Sequence, residues 1–246
     1  MAKKNKIRAS GIVDCACVIH GTVYDWIYVE RLYNMLSRHF VDEIRLHVYT
    51  EPTRSVPAHM IKHELEIWPG IEGPKRSWWY KMQLFNERHW QGPLLYFDLD
   101  IVIYNNLQWC REVSLDYFWT LRDFRYLQNS AYNKMNSSVM YWDTRRFGYL
   151  WDRVQTDGIL DVVMQYSGDQ DYIWAKIDRA LLRYYDSSHV QSFRWEAMDG
   201  GMNFATRKNQ KPNTGVKLSK NASVLVFHGR PKPHEVKDSQ IQALWV

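Results

Sequence analysis

The sequence predicts a single-domain α/β fold whose sheet is mixed, mostly parallel and flanked by helices. Short apolar runs rich in β-branched residues alternate with segments that carry an apolar stripe at helical spacing, which is the pattern of α/β proteins. The 246 residues suit one large domain or two small ones, and no clear boundary divides them. With 46% hydrophobic residues and no low-complexity tract, the chain can bury a substantial core without metal or disulfide bonds.

The first half of the chain contains three predicted strands and two predicted helices. Ile12–Ile19 is short and apolar, so it predicts a buried strand, and Gly21 after it is a turn signal. The apolar positions within 29–40 have helical spacing, which predicts an amphipathic helix with Asp25 as its candidate N-cap. Further strands are predicted at 44–50 and 63–68, with Pro52 and Pro57 in the loop between them, and a helix at 75–90.

The second half continues this alternation. A long apolar run predicts a strand at 94–104. Shorter strands are predicted at 117–122, 139–143 and 224–228, and helices at 147–154 and 169–178. The segment 199–221 is rich in Gly, Asn and Lys, which predicts a long surface loop and leaves open a basic flap near an anionic ligand.

The charge balance favours an anionic partner without choosing among several. The chain has 32 basic and 27 acidic residues, a net charge of +5 and a pI near 9.0, which suits nucleotides, phosphorylated lipids, an anionic membrane face or nucleic acid. A nucleic-acid partner is not expected, because no stacking-platform or major-groove motif is present. A non-enzymatic binder of carbohydrate or RNA has only this charge and the aromatic content in its favour. The residues 1–10 are predicted to form a flexible basic tail, from which we expect at most a peripheral membrane contact.

Segments that cross a membrane or direct secretion are not predicted. No run of 18 apolar residues is present, and Asp14 interrupts the apolar run that follows the basic start, so a signal peptide is not expected. The cysteines Cys15, Cys17 and Cys110 are odd in number and lack metal-binding spacing. They predict reduced thiols, and the chain is therefore expected in the cytoplasm.

Two carboxylates occur in the strand predicted at 94–104. Because alternate side chains of a strand share a face, Asp98 and Asp100 would project together from the face that begins with Leu94 and Tyr96. Like charges in a poorly solvated place raise each other's pKa, and their burial requires a cation or hydrogen-bond donors. A divalent ion meets this need, and carboxylate and phosphate oxygens match Mg²⁺ or Mn²⁺. The alternative is that both carboxylates face water where the strand ends.

Two enzyme classes place an Asp-x-Asp pair after a buried strand. Haloacid-dehalogenase-type phosphatases use the first carboxylate, here Asp98, as a nucleophile, whereas nucleotide-sugar glycosyltransferases use both around a metal on the donor diphosphate. The phosphatase motif normally follows the first strand, but here several strands and helices precede it. The position therefore favours the transferase. The chain also has twelve tryptophans, and aromatic faces suit flat apolar surfaces, including the C–H faces of sugars, although most such rings pack a core.

Six motifs stand in order along nearly the whole chain, from about Ile12 to Glu235. They are YVERLYNML (28–36), SWWYKMQLF (77–85), LLYFDLDIVI (94–103), NSSVMYWD (136–143), GDQDYIW (168–174) and VFHGRPKPHE (226–235). In these motifs the chain resembles A-type glycosyltransferases related to family 8, the glycogenin and lipopolysaccharide galactosyltransferase group. More closely, it resembles bacterial glycosyltransferases with a WWxK helix and an FHGRPKPHE tail.

The resemblance implies an A-type glycosyltransferase fold and a metal-dependent activity. The donor would be a nucleotide diphosphate sugar, with UDP as the expected nucleotide, and the acceptor a hydroxyl group of a carbohydrate, a lipid-linked sugar or a protein. The anomeric configuration would be retained. The metal ligands that it implies, for Mn²⁺ or Mg²⁺, are Asp98, Asp100 and His228.

The resemblance also implies roles for other residues. Asp169 and Gln170 would be the catalytic residues facing the anomeric carbon, although Asp169 read on its own also suits a helix N-cap. Lys232 would neutralise the donor diphosphate, and Lys81 would contact the donor sugar or phosphate. The other residues implied to bind the nucleotide-sugar are His20, Gly21, Tyr24, Asp98, Leu99, Asn136, Ser137, Asp171 and Gly229.

Overall fold

The computed structural model describes residues 11–71, 76–198, 202–203, 208–209 and 215–246. The basic tail predicted at 1–10 lies outside the described residues, and so does most of the loop predicted at 199–221. The end of that loop is described, and its residues 215–221 are half-buried or exposed and form only an isolated bridge from Val216 to Met198.

Strands and helices alternate along the described chain. The strands are β1 (Ile12–Ile19), β2 (Glu43–Thr50), β3 (Ile61–Glu64), β4 (Pro93–Phe97), β5 (Ile101–Ile103), β6 (Phe118–Arg122), β7 (Met135–Asp143), β8 (Leu182–Tyr184), β9 (Val190–Ser192), β10 (Met202–Asn203), β11 (Lys208–Asn209) and β12 (Val224–Val226). The α-helices are α1 (Ile27–His39), α2 (Gln108–Arg111), α3 (Thr144–Phe147), α4 (Tyr149–Asp157), α5 (Ile159–Gln165), α6 (Asp169–Lys176) and α7 (Ser239–Leu244).

A seven-stranded sheet forms the centre, in the order β3-β2-β1-β4-β7-β6-β8. The first four strands of this order are parallel, β7 is antiparallel to β4 and β6, and β8 is parallel to β6. β1 and β2 pair over their whole length, from Ile12 beside Glu43 to Ile19 beside Thr50. The mixed, mostly parallel sheet of the predicted α/β fold is therefore confirmed.

The strand predicted at 94–104 is wrong as one continuous element. β4 ends at Phe97 in the central sheet, and β5 begins at Ile101 in a second sheet of order β5-β12-β9. The chain changes partners between them, since β4 pairs with β1 and β7 whereas β5 pairs with β12. Asp98 and Asp100 lie on this connection and do not share a strand face. The apolar run hides the break because both strands are buried.

Two apolar clusters cover the two faces of the central sheet. Leu95 and Phe97 of β4 belong to the cluster that contains the buried residues of α1. Leu94 and Tyr96 belong to the other cluster, together with the buried residues of α4 and of the 3₁₀ helix Ser77–Phe85. Both faces of β4 are thus buried, which explains its apolar sequence.

Several predicted boundaries are displaced. The helix predicted at 75–90 is the shorter 3₁₀ helix Ser77–Phe85, and the third strand moves from 63–68 to β3. Seven consecutive residues from Trp79 to Phe85 are buried, so this segment has no polar face from which its helical period could be read. At the start of α1 the N-cap residue is Trp26, and the side chain of Asp25 accepts a hydrogen bond from the backbone N of Ile27 (3.1 Å).

Several short elements are not predicted from the sequence, among them α2, α5, β8, β9 and α7. The strands β8 and β9 have three residues each, which is too short to show a period. None of the helices in the described part of the chain is long and apolar enough to cross a membrane. The three cysteines are buried free thiols.

A chain of hydrogen bonds links β1, β2 and β3. His47 Nε2 lies 2.9 Å from Asp14 Oδ1, and His47 Nδ1 lies 2.8 Å from His63 Nε2. The pKa of His63 is lowered to about 3, first by burial and then by its proximity to the imidazoles of His47 and His89. His63 is therefore neutral in the folded protein at physiological pH.

This lowered pKa predicts a loss of stability in mild acid. In the unfolded state His63 is protonated below about pH 6.5, whereas in the folded state it stays neutral down to about pH 3. Protonation therefore favours the unfolded state, and the stabilisation present above pH 6.5 is lost as the pH falls. The upper limit at pH 5 is about 2 kcal/mol, and partial exposure of the ring reduces it. Urea denaturation at pH 7 and pH 5 measures the loss. We expect His63→Gln to reduce it and His59→Gln, at an exposed position, to leave it unchanged; an equal loss in both variants would contradict the prediction.

Candidate active site

The candidate site lies at the edge where three neighbouring strands of the central sheet meet. The chain leaves β1 at His20 and β4 at Asp98, and the antiparallel β7 brings Asn136, near its start, to the same edge. The backbone N of Asp98 donates to the carbonyl oxygen of Ser138 (2.9 Å), which holds the connection after β4 against β7. Ligands of open α/β folds bind beyond the carboxyl ends of the strands.

Two adjoining cavities open at this edge. The His20 cavity, of about 450 Å³, is lined by residues that include His20, Tyr24, Leu99, Arg230 and Lys232. The Asp169 cavity, of about 430 Å³, is lined by residues that include Asn136, Ser137, Asp169, Gln170, Asp171 and His228. Both cavities are lined by Trp78, Lys81, Asp98, Asp100 and Gly229. The structure thus brings together every site residue predicted from the sequence except Gly21, which lines neither cavity.

Lys81 lies at the junction of the two cavities. Its Nζ is 2.7 Å from Asp98 Oδ1 and 3.6 Å from Asp169 Oδ2, and it donates to Ser137 Oγ (3.3 Å). Ser137 Oγ in turn donates to Asp169 Oδ2 (2.8 Å). Burial alone would lower the pKa of Lys81, but the charges of Asp169 and Asp98 outweigh it and raise the pKa. Lys81 is therefore a buried, permanently charged cation between two carboxylates.

Asp98 and Asp100 are each neutralised by a different lysine. Asp98 also accepts from Tyr96 Oη (2.7 Å), and Asp100 accepts from Tyr24 Oη (2.9 Å) and from Lys232 Nζ. Burial would raise the pKa of Asp98, but Lys81 and the hydrogen bonds outweigh it and lower the pKa. At Asp100 burial dominates: with some help from the charge of Asp98, it raises the pKa against the pull of Lys232. The expectation that both pKa values rise is therefore wrong for Asp98, because the cation beside it is close and buried.

His228 is held by neighbours other than the two carboxylates. Its Nε2 lies 2.7 Å from Ser192 Oγ, and its ring stacks on Phe124 and packs edge-to-face with Trp195, with centroids 5.3 and 4.8 Å away. Its pKa is lowered to about 4, first by burial and then by the charges of Arg194 and Lys232. The imidazole is therefore neutral at physiological pH.

The predicted metal ligands do not form a metal site as the side chains stand. Asp98 and Asp100 each bind a lysine ammonium, and His228 shares a hydrogen bond with Ser192. Within the described residues, no group of three or more His, Cys, Asp or Glu side chains has an arrangement that could hold a metal ion. The three side chains suit a divalent ion by their chemistry but do not fit one in this arrangement.

The start of α6 places polar side chains in the Asp169 cavity. Gly168 is the N-cap residue and Asp169 is the first helical residue, so the reading of Asp169 as an N-cap is wrong. Asp169 is buried, and burial raises its pKa against the opposing charge of Lys81. Asp171 forms an ion pair with Lys134 (3.1 Å) at the rim.

The loop after β1 is fixed by residues from the end of β2. Gly21 has φ +67°, its backbone N donates to the Glu51 carboxylate, and its carbonyl oxygen accepts from Arg54 Nη2 (2.8 Å). Burial would raise the pKa of Glu51, but Arg54 and backbone donors outweigh it and lower the pKa to about 2. His20 stacks on Tyr80 with centroids 3.8 Å apart. Gly21 therefore shapes this loop without lining the cavity.

Sequence reasoning missed some of the residues that shape the site. Glu51 directly follows β2, at the same edge of the sheet as Asp98. A charged residue directly after a predicted strand indicates a place near the ligand site of an open α/β sheet, so Glu51 could have been predicted. Tyr96 lies on β4, two residues before Asp98, and donates a hydrogen bond to that carboxylate. No signal in the sequence indicated Arg125, which lines the Asp169 cavity from the turn after β6.

Comparison with solved structures assigns the fold. An active-site mutant of LgtC superposes with a TM-score of 0.67 at 13% identity, covering 94% of this chain and 95% of that one. The galactosyltransferase LgtC in complex with donor and acceptor sugar analogs gives 0.66 at 15% identity, with 95% of each chain covered. The glycosyltransferase GlyE of Streptococcus pneumoniae TIGR4 gives 0.63 at 12% identity, covering 95% of this chain and 60% of that one.

The chain has a glycosyltransferase fold. This is the A-type fold that the resemblance implied. No protein-family model and no curated protein matches the chain, so membership of family 8 stays a prediction. The glycosyltransferase fold leaves the phosphatase alternative without support, and Asp98, which that alternative uses as nucleophile, is occupied by the ammonium of Lys81.

Proposed function

We propose that this protein is a glycosyltransferase that moves a sugar from a UDP-sugar to a hydroxyl acceptor with retention of configuration. The observation that carries the proposal is the pair of cavities that meet at Lys81 and Asp98. Cations line the His20 cavity, and a cluster of hydrogen-bonding groups around Asp169 lines the other. A donor has the same two-part chemistry, with an anionic nucleotide joined to a neutral, hydroxyl-rich sugar.

The His20 cavity suits the nucleoside diphosphate. Arg230 and Lys232 line it beside Asp100, and Tyr24 and His20 supply aromatic rings near the end of β1. Negative charge develops on the diphosphate as the bond to the sugar breaks, and a lysine that contacts the bound diphosphate before this step stabilises the charge. Lys232 would exchange its contact with Asp100 for a phosphate oxygen. Gly229 also lines this cavity, and its φ of +82° is one that few other residues adopt.

The Asp169 cavity suits the transferred sugar. Asn136, Ser137 and Asp169 offer amide, hydroxyl and carboxylate groups to the sugar hydroxyls, and Gln170 lines the same wall. In the reaction the bond between the anomeric carbon and the diphosphate breaks, UDP keeps the electron pair, and the acceptor oxygen bonds the carbon and loses its proton to the departing diphosphate. The transition state has oxocarbenium character, so the nearby negative charge of Asp169 stabilises it.

The similar solved structures support sugar transfer in general. LgtC is a galactosyltransferase whose structure holds donor and acceptor sugar analogs, and GlyE is a glycosyltransferase. By analogy of fold we propose a nucleotide-sugar donor and a carbohydrate acceptor for this chain as well. The requirement for Mn²⁺ or Mg²⁺ stays a prediction, because Asp98, Asp100 and His228 could bind the ion only after Lys81, Lys232 and Ser192, respectively, release them.

The direct test is the release of UDP from UDP-sugars. We expect the protein to hydrolyse at least one of UDP-glucose, UDP-galactose and UDP-N-acetylglucosamine slowly without an acceptor. We expect Lys232→Gln to lower kcat/KM roughly 100-fold, as for the loss of one charge-stabilising donor. Lys237→Gln, an exposed lysine that lines neither cavity, is the control.

Two outcomes would separate the parts of this proposal. If no UDP-sugar binds or is hydrolysed, the proposed activity is wrong. If hydrolysis continues undiminished in EDTA and is not raised by Mn²⁺, the transferase stands and the predicted metal does not.

A further inference from the structure

Trp78 differs from the other tryptophans of this protein. All twelve lie within the described residues, and Trp78 alone belongs to neither apolar cluster and packs against neither. Its side chain is 37% exposed. Within the described chain no residue stacks on its ring or forms a hydrogen bond with its indole nitrogen. A large apolar ring that joins neither apolar cluster of the described residues is costly to expose to water, so packing among those residues does not explain its role.

The position of Trp78 is at the junction of the two cavities. It lines both of them together with Lys81, which lies three residues further along the same 3₁₀ helix. On the other side it approaches Gly168: a Cβ atom on that residue would lie 3.5 Å from Trp78 Nε1. Gly168 immediately precedes Asp169 and Gln170. The indole therefore lies beside the place where a diphosphate in one cavity would join a sugar in the other.

The surroundings of this ring select the chemistry of its ligand. Aromatic faces pack against apolar surfaces, and a pyranose ring presents such a surface through its C–H groups while its hydroxyls point outward. Asp169 and Ser137 stand in the same cavity to bind these hydroxyls. The carboxylates that line this cavity outnumber its cations, which are Lys81 and Arg125. A sugar that carries its own carboxylate is therefore disfavoured relative to a neutral one.

We propose that Trp78 stacks on the pyranose ring of the transferred sugar and makes the enzyme select a neutral hexose. This inference rests on the proposed glycosyltransferase function and adds to it a sugar-positioning residue and a donor class. The contact belongs to the sugar and not to the nucleotide. Its loss should therefore change how much more tightly a UDP-hexose binds than UDP does.

The experiment compares Trp78→Ala and Trp78→Phe with the wild-type protein. Dissociation constants for UDP, UDP-glucose, UDP-galactose and UDP-glucuronate are measured by calorimetry, and hydrolysis of the bound sugars is followed as UDP release. We expect Trp78→Ala to lower both the affinity for the preferred UDP-hexose and the kcat/KM for its hydrolysis roughly tenfold, which is the size of one lost aromatic contact. The affinity for UDP alone should change less than about twofold. For Trp78→Phe, the affinity for the UDP-hexose should lie between those of the wild type and Trp78→Ala.

The control variant is Trp119→Ala. Trp119 is half-buried in β6, where it pairs with Tyr141, away from Asn136, and it lines neither cavity. We expect it to leave the ratio of UDP to UDP-hexose affinity unchanged. The inference is overturned if Trp78→Ala keeps that ratio, if it weakens UDP itself equally, or if UDP-glucuronate is the preferred donor. A wild-type protein that binds no nucleotide at all would instead overturn the proposed function.

Discussion

Replacement of Lys81 by methionine is expected to lower the free energy of unfolding by about 3–5 kcal/mol at pH 7, because it leaves buried carboxylates without their cation. Lys81 Nζ lies 2.7 Å from Asp98 and 3.6 Å from Asp169. Methionine keeps most of the length and volume of the lysine, so little packing is lost. Urea denaturation measures the change. The control, Lys62→Met, removes the surface ion pair with Glu64 and should cost less than about 1 kcal/mol.

The same variant should lose less stability at low pH than at high pH. In the wild type, Lys81 holds the pKa of Asp98 below 3.8, so the stability that this carboxylate contributes is present above pH 3.8 and is lost as the pH falls through the folded pKa. Without the cation, burial dominates and raises that pKa, so the carboxylate destabilises the fold at neutral pH and this cost disappears on protonation. The two stability curves should converge between pH 8 and pH 4.

The pH dependence and a second variant distinguish uncompensated charge from lost packing as the cause of the destabilisation. If Lys81→Met destabilises through lost packing alone, the difference from wild type will not depend on pH, and that result would contradict the electrostatic argument. Adding Asp98→Asn to Lys81→Met removes one of the uncompensated charges. The double variant should therefore be more stable than Lys81→Met at pH 7.

The convergence of the site residues could be expected from the sequence, but their pairing could not. Carboxyl ends of neighbouring strands meet at one edge of a sheet, which places Asp98 close to His20. Nothing in local sequence says that Lys232, 132 residues after Asp100, would occupy that carboxylate. Tyr24, its other partner, is 76 residues away. Such contacts depend on the path of the whole chain, which a period or a composition does not encode.

The break between β4 and β5 is a similar case. Both strands are buried, so the residues from 94 to 103 are apolar apart from the two aspartates, and no turn residue such as Gly or Pro interrupts them. The sequence correctly predicted a buried segment with a carboxylate pair near its middle. The change of sheet is determined by the hydrogen-bond partners of the two halves, β7 for one and β12 for the other. Pairing across the sheet is long-range information.

The indole of Trp78 marks another limit of sequence reasoning. Within SWWYKMQLF the two tryptophans are adjacent, yet Trp79 is 1% exposed and packs in a core cluster while Trp78 is 37% exposed in the cavity wall. If this segment had a regular α-helical or strand period, the sequence would show which of the two rings faces the core and which faces outward. The 3₁₀ helix is buried on almost every side, so composition alone assigns both rings to the core.

Asp169→Asn should reduce the rate of sugar transfer while making the fold more stable. Burial raises the pKa of Asp169 even though Lys81 opposes the shift. A carboxyl whose pKa is raised on folding is most stabilising when protonated, so it costs stability as the pH rises from 3.8 through the folded pKa. The neutral amide removes this cost at pH 7 and still accepts the hydrogen bond from Ser137 Oγ. We therefore expect a higher Tm at pH 7 and no gain at pH 3.

The loss of activity follows from the same charge. If Asp169 stabilises the positive charge that develops on the anomeric carbon, the amide removes that interaction from the transition state but hardly alters the bound nucleotide. We expect kcat for UDP-sugar hydrolysis to fall roughly 100- to 1,000-fold while the dissociation constant of UDP stays within about twofold. Asp116→Asn, at an exposed position outside both cavities, is the control for activity and Tm. A variant with lower Tm and normal kcat would contradict this prediction and show that Asp169 serves the fold. The expected combination of higher Tm and lower kcat would indicate a carboxylate that is retained for catalysis although its burial destabilises the protein.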